Sequence, residues 1–147
     1  MNKPWSVPEG ALMRAEPQSF RARELLAALT VKDVAESLAW YHDVVGFTID
    51  QRHERDGKLR AVSLKAGEVR ILINQDDGAK GMDRVKGAGF SLQFTTAQNV
   101  DDMAKRIKAR GGKLESEPAD MPWGVRLFAL RDPDGFRLTF AASRASI

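Results

Sequence analysis

Short runs of alternating apolar and polar residues fill most of this chain, and a helical rhythm interrupts them twice. Leu25 to Val31 is almost continuously apolar and predicts a buried strand. Asp33-Val34-Ala35-Glu36 has the form of a capping box, with the Asp33 oxygen accepting orphan amides and Glu36 reaching back. Val34, Leu38, Tyr41 and Val45 then share one helical face, so a helix is predicted over 34–45, ended by Gly46. Phe47–His53, Leu59–Leu64 and Val69–Asn74 read as strands, joined by turns at Asp56-Gly57 and Ala66-Gly67.

The pattern then restarts. Phe90–Thr96 predicts a strand, and Asn99 caps a helix with Val100, Met103, Ala104 and Ile107 on one side. Gly111-Gly112 stops that helix, Lys113-Leu114-Glu115 opens another strand, and Met121-Pro122-Trp123-Gly124 is a loop. Leu127–Phe140 closes the unit as a hairpin around Asp132-Pro133-Asp134-Gly135, where proline fixes one backbone angle and glycine accepts a positive φ. The order strand–helix–strand–strand–strand is thus written twice. Gly46 and Gly111 lie 65 residues apart, and Gly67 and Gly135 lie 68 apart, which points to an internal duplication. The expected organisation is an N-terminal arm over 1–22, a first βαβββ module over 23–77, a linker over 78–89 and a second module over 90–147. Residues 23–147 would form one compact domain.

A four-stranded sheet with a single helix is covered on one face only. Two such units can turn their uncovered faces toward a shared cleft, the default place for a ligand. If Ser91 and Thr139 face that cleft, strand alternation brings in Gln93, Thr95, Arg137 and Ala141, and puts Leu92, Phe94, Leu138 and Phe140 on the helix side. In the first unit Leu26, Ala28 and Thr30 would face in, with Ser63 and Asn74 as further lining. Trp123 has two readings, a stacking platform at the cleft mouth or a cap on the core. Arg126 could hold an anionic ligand bidentately, or stand as a solvated strand residue.

Composition narrows the chemistry. The 147 residues contain no cysteine, which excludes disulfides, thiolate metal sites and cysteine nucleophiles. Net charge is +3, and the nearest thing to a basic patch, Lys105, Arg106, Lys108, Arg110 and Lys113, reads as the wet face and end of a helix. No nucleic-acid partner is expected. No apolar run approaches the ~20 residues of a membrane span, and Met1–Phe20 lacks the apolar core of a secretory signal, so a cytoplasmic protein is expected.

Several segments carry a family resemblance. Val31-Lys32-Asp33-Val34, Ser37-Leu38-Ala39-Trp40-Tyr41 and Val44-Val45-Gly46-Phe47 stand in the first half. Val100-Asp101-Asp102, Gly111-Gly112, Pro122-Trp123-Gly124 and Asp132-Pro133-Asp134-Gly135-Phe136 stand in the second. Together, over about residues 24–142, they resemble the vicinal oxygen chelate superfamily, which includes glyoxalase I, extradiol dioxygenases and bleomycin resistance proteins. The resemblance implies an α+β fold of two tandem βαβββ modules whose curved mixed sheets form an open barrel-like cleft, commonly in homodimers. In metal-dependent members, His and Glu ligands from the first and last strands of each module hold a divalent metal. The corresponding positions here fall on Leu26, on Ile71 or Leu72, on Ser91 and on Thr139. None is a strong ligand, and the only histidines are His42 and His53.

The expectation is therefore a small-molecule-binding protein without metal or other cofactor, and without catalytic residues. It would bind or sequester a small, aromatic ligand through Ser91, Gln93, Thr139, Trp123, Asn74, Ser63, Arg126 and Arg137. Bleomycin binders would present an acidic cleft to a cationic drug, whereas this chain is slightly basic, so a neutral or anionic ligand fits better. The alternative is a divergent metal-dependent lyase, isomerase or dioxygenase using a divalent metal at a relocated site. A third reading is a structural module with a filled cleft, in which the 1–22 arm mediates assembly.

Overall fold

The computed structural model describes residues 20–143. The expectations for the 1–22 arm lie largely outside the described residues. Among the described residues, eight strands and two α-helices follow in the order β1 (Ala27–Val31), α1 (Val34–Ala39), β2 (Thr48–Arg55), β3 (Lys58–Ala66), β4 (Val69–Gln75), β5 (Ser91–Thr96), α2 (Val100–Ala109), β6 (Ser116–Asp120), β7 (Val125–Arg131) and β8 (Arg137–Ser143). They build two four-stranded sheets, ordered β1-β4-β3-β2 and β5-β8-β7-β6. In each, the first strand runs parallel to the last and the other pairings are antiparallel.

Most strand starts differ from the sequence pattern by one to three residues, β1 and β6 among them. β1 begins at Ala27, because Leu25 and Leu26 remain 94% and 46% exposed outside the sheet. β6 begins at Ser116, and the Glu115 amide still donates to Ala129 O at 2.7 Å. Asp33 caps α1 as its spacing predicts, its Oδ1 accepting from the amides of Ala35 and Glu36 at 3.0 and 3.1 Å. The helix continues through Trp40–Val45 as a wider π-helical turn, in which Gly46 N donates to Tyr41 O.

One hydrophobic core serves both halves. Leu29, Val31, Leu38 and Ile73 from the first half and Phe128, Leu130, Leu138 and Phe140 from the second belong to a single buried cluster. Aromatic contacts cross the boundary: Phe47 meets Phe94 edge-on at 5.5 Å between ring centroids, and Phe94 stacks on Phe140 at 5.2 Å. These are residues of the helix-covered sides. The two halves of one chain therefore share their covered sides, and their other sheet faces point away from this core.

A polar clamp holds that arrangement. The Asp132–Gly135 turn docks on α1: Lys32 N and Ser37 Oγ donate to Asp134 at 2.7 and 3.4 Å, and Tyr41 Oη donates to Asp132 at 2.7 Å. Lys86, 6% exposed at its side chain, comes in beneath from the connecting segment. Its ammonium lies 2.8 Å from Asp76 and 3.7 Å from Asp134. Two carboxylates around one buried ammonium satisfy a charge that could not be buried alone. No described helix is long and apolar enough to cross a membrane.

Candidate functional site

Residues opposite each other in a sheet share a face, so the strand registers assign the uncovered faces directly. On the second sheet, Gln93 stands opposite Thr139 and Thr139 opposite Ala129, while Ser91 stands opposite Arg137 and Arg137 opposite Arg131. Ala129 and Ala141 are fully buried and Thr139 is 5% exposed, forming a floor, whereas Ser91, Gln93 and Thr95 are exposed along the β5 edge. Thr139 Oγ1 donates to Leu92 O at 3.4 Å. A recess of about 270 Å³ opens at the end of this face, lined by Gly87–Phe90 with Ser91, Arg131 and Arg137.

The charge at this end is balanced by a residue outside the expected set. Glu115 accepts from Arg131 Nε at 2.9 Å through one oxygen and from Arg137 Nε at 2.8 Å through the other. The two guanidiniums, Arg137 foremost, hold its carboxyl below the usual range. The two cations that line the recess are thus paired with one anion behind them, and Arg137 reaches the recess already paired.

On the first sheet, Ala28 stands opposite Leu72, Thr30 opposite Asn74, Asn74 opposite Ala61, and Leu72 opposite Ser63. Ser63 Oγ donates to Asp50 at 3.1 Å, and Arg70 Nε lies 3.9 Å from the same carboxylate. Asp50 occupies a β-bulge between Ile49 and Gln51. Sequence alternation does not register such an inserted residue, and Asp50 was absent from the expected lining for that reason.

Two expected residues are placed apart from this set. Arg126 stands opposite Ala142, a member of the shared core, and so belongs to the helix side. Its guanidinium holds Asp101 of α2 bidentately at 2.7 and 2.9 Å and Asp120 at 3.3 Å, which ties β7 to the first turn of α2. Trp123, in the β6–β7 loop, is 69% exposed and does not cap the core.

The metal positions can be tested against this geometry. Ile71 is 2% exposed and belongs to the shared core, so of the pair Ile71 and Leu72 it is Leu72 that faces outward. The four positions are then Leu26, just before β1, and Leu72, Ser91 and Thr139 on the uncovered faces, two alkyl groups and two alcohols. The nearby carboxylates, Asp50 and Glu115, are already engaged by Ser63 and by two arginines. Among the described residues, no three His, Asp or Glu side chains are grouped to hold an ion. This donor set does not fit a divalent metal of the chelating kind.

The family model of the Glyoxalase/Bleomycin resistance protein/Dioxygenase superfamily matches residues 25–140. Among solved structures, TioX from Micromonospora sp. ML1 superposes with a TM-score of 0.68 at 21% identity, covering 83% of this chain and 99% of that one. A superfamily member from Sphaerobacter thermophilus gives 0.64 at 23% identity, covering 84% and 98%. A glyoxalase/bleomycin resistance protein/dioxygenase from Nocardioides gives 0.64 at 18%, covering 91% and 89%. No curated protein sequence matches the chain. At these identities the structural likeness concerns the fold alone.

Proposed function

The chain belongs to the glyoxalase/bleomycin resistance protein/dioxygenase superfamily, and within it we propose a metal-independent binding protein for a small aromatic molecule. The ligand lies against the uncovered face of the second sheet, over Thr139 and Gln93, with Trp123 at the rim. The observation that carries this reading is the set Leu26, Leu72, Ser91 and Thr139 at the four ligand positions, which offers hydrogen bonds and apolar surface but no chelating group. Small hydroxyls and amides around an apolar floor orient a ligand without supplying a nucleophile or base.

A second copy of the chain completes the cleft in this proposal. One chain alone turns its sheet faces outward, and exposed apolar side chains such as Leu25, Leu26, Phe90 and Trp123 lie near the strand starts and loops of those faces. The balance of Glu115 against Arg131 and Arg137 favours a neutral or singly anionic ligand over a cationic one.

Protein purified without chelator tests this by metal analysis, solution mass and tryptophan emission during titration with 2-naphthol and 2-naphthoate. Expected are a mass twice the 16.3 kDa of the chain, no stoichiometric metal, and a saturable emission change that EDTA leaves intact and Trp123→Phe removes. Stoichiometric metal, or binding abolished by EDTA, would establish the divergent metal-dependent enzyme instead.

A further inference from the structure

A second cavity lies away from the uncovered sheet faces. It is a groove of about 700 Å³ between the two halves, bounded by the end of α1, the β3–β4 hairpin, the exit of β5 and one side of α2. Phe47, Phe94 and Met103 give it an apolar floor. Lys65, Arg106 and Arg110 line its walls, with Glu68 as the only acidic lining residue among those described.

Several cations elsewhere in the fold are held in ion pairs. Arg126, Arg131, Arg137, Arg84 and Lys86 each meet a carboxylate. Arg106 and Arg110 are one helical turn apart, so their like charges repel. Neither they nor Lys65 enters an ion pair among the described residues. The Arg110 guanidinium lies over Gly46, its Nη1 3.5 Å from where a Cβ would stand, which brings it to the groove wall formed by the first half.

We propose that this groove is a second binding site, for an organic anion with an apolar body and one carboxylate. The body would lie on Phe47, Phe94 and Met103, and the carboxylate between Arg106 and Arg110. Its volume matches a drug-sized ligand, and its net charge excess selects an anion over a cation. The site needs both halves of one chain, so occupancy stabilises their packing.

Decanoate, decanol and decylamine share one apolar body and differ in the head group, and calorimetry with the full chain separates them. Decanoate is expected to bind saturably in the sub-millimolar range, decanol several-fold more weakly, and decylamine not at all. The double variant Arg106→Gln/Arg110→Gln removes two exposed charges and should weaken decanoate about five- to tenfold while leaving decanol unchanged. Ala97→Glu, which adds an anion to the exposed groove wall, should weaken it similarly. Lys105→Gln/Lys113→Gln removes equal charge outside the groove and should have no effect. Equal binding of decanoate and decylamine, an unaffected arginine double variant, or an equal loss in the lysine control overturns the proposal. A change of solution mass in the arginine variant would make the groove a subunit interface and overturn it as well.

Discussion

Tyr41 and Asp132 are 91 residues apart, one in the first helix and one in the last turn, and the tyrosine hydroxyl donates to the carboxylate at 2.7 Å. Tyr41 is fully buried and Asp132 is 5% exposed. The other oxygen of Asp132 accepts from the amides of Asp134 and Phe136 at 2.9 and 2.8 Å, so one carboxylate orders the turn and fastens it to the helix. Burial pushes the Asp132 carboxyl up from its ordinary value, and burial together with Asp132 drives the Tyr41 phenol far above its own.

Tyr41→Phe keeps the ring in place and removes the one donor, leaving a buried acceptor short of a partner. The expected cost is about 1.5–3 kcal/mol, a fall of roughly 5 °C or more in Tm for a chain of this size. Thermal unfolding followed by circular dichroism checks it. A Tm within a degree of wild type would mean that the clamp carries no weight.

Asp76 contributes to the acid limb of stability, alongside the depressed carboxyls of Asp101 and Glu115. Lys86 foremost, then the Gly78 amide and Arg84, hold its carboxyl down to about 2. Its folded value lies below the unfolded one of 3.8. The unfolded chain therefore binds more protons between the two, and the contribution is complete above about pH 4 and lost as pH falls toward 2. Asp132 has the opposite sign and cannot produce that loss. Urea midpoints from pH 6 to pH 2 should fall steeply in wild type. In Asp76→Asn they should start lower, because Lys86 loses its nearest partner, and fall less steeply in acid.

Much of this architecture was legible because local rules and tertiary packing agree. Asp33 and Asn99 cap their helices as the spacing implies, and Leu138 and Phe140 lie in the core as alternation places them. The side of the sheet that Arg126 occupies is legible too. Arg126 is two residues from Phe128, and period-two alternation puts both on the helix side, where Asp101 and Asp102 begin α2. The clamp was not legible, since nothing local pairs Tyr41 with a turn 91 residues away. Nor was the groove, whose walls come from four separated segments. Which side of a sheet meets solvent is likewise set by how the halves pack, and no periodicity within one half encodes it.

Two adjacent glycines at the end of α2 should respond differently to alanine. Gly111 has φ +91° and open space around a Cβ, so Gly111→Ala meets backbone strain alone, about 1–2 kcal/mol. Gly112 has room for nothing: a Cβ would stand 2.5 Å from Ile107 Cγ2 and 2.8 Å from Val44 Cγ1, across the boundary between the halves. Its amide also donates to Ile107 O at 2.9 Å, fixing its position in a Schellman-type cap. Gly112→Ala should therefore cost about 1–3 kcal/mol by overpacking and loosen the contact between the helix ends. Denaturant midpoints for the two variants give the stability costs. Faster amide exchange near Val44 should be confined to Gly112→Ala, and equal exchange in both variants would remove the packing argument.

Glu115 sets the charge of the proposed ligand face. It binds Arg131 and Arg137 through separate oxygens, and the guanidiniums keep it ionised well below neutral pH. Glu115→Gln keeps a side chain of the same shape, removes one negative charge, and leaves both cations beside the recess formed with Ser91. Stability should change little, since all three side chains are part-exposed and solvent screens their pairing. Affinity for 2-naphthoate should rise about two- to fivefold at low salt and return toward wild type at 0.5 M salt, as screening shortens the reach of the freed charges. Binding of 2-naphthol, which has no charge at neutral pH, should stay constant. If both ligands respond alike, the recess does not contact the carboxylate, and the ligand lies farther along the floor toward Ala141.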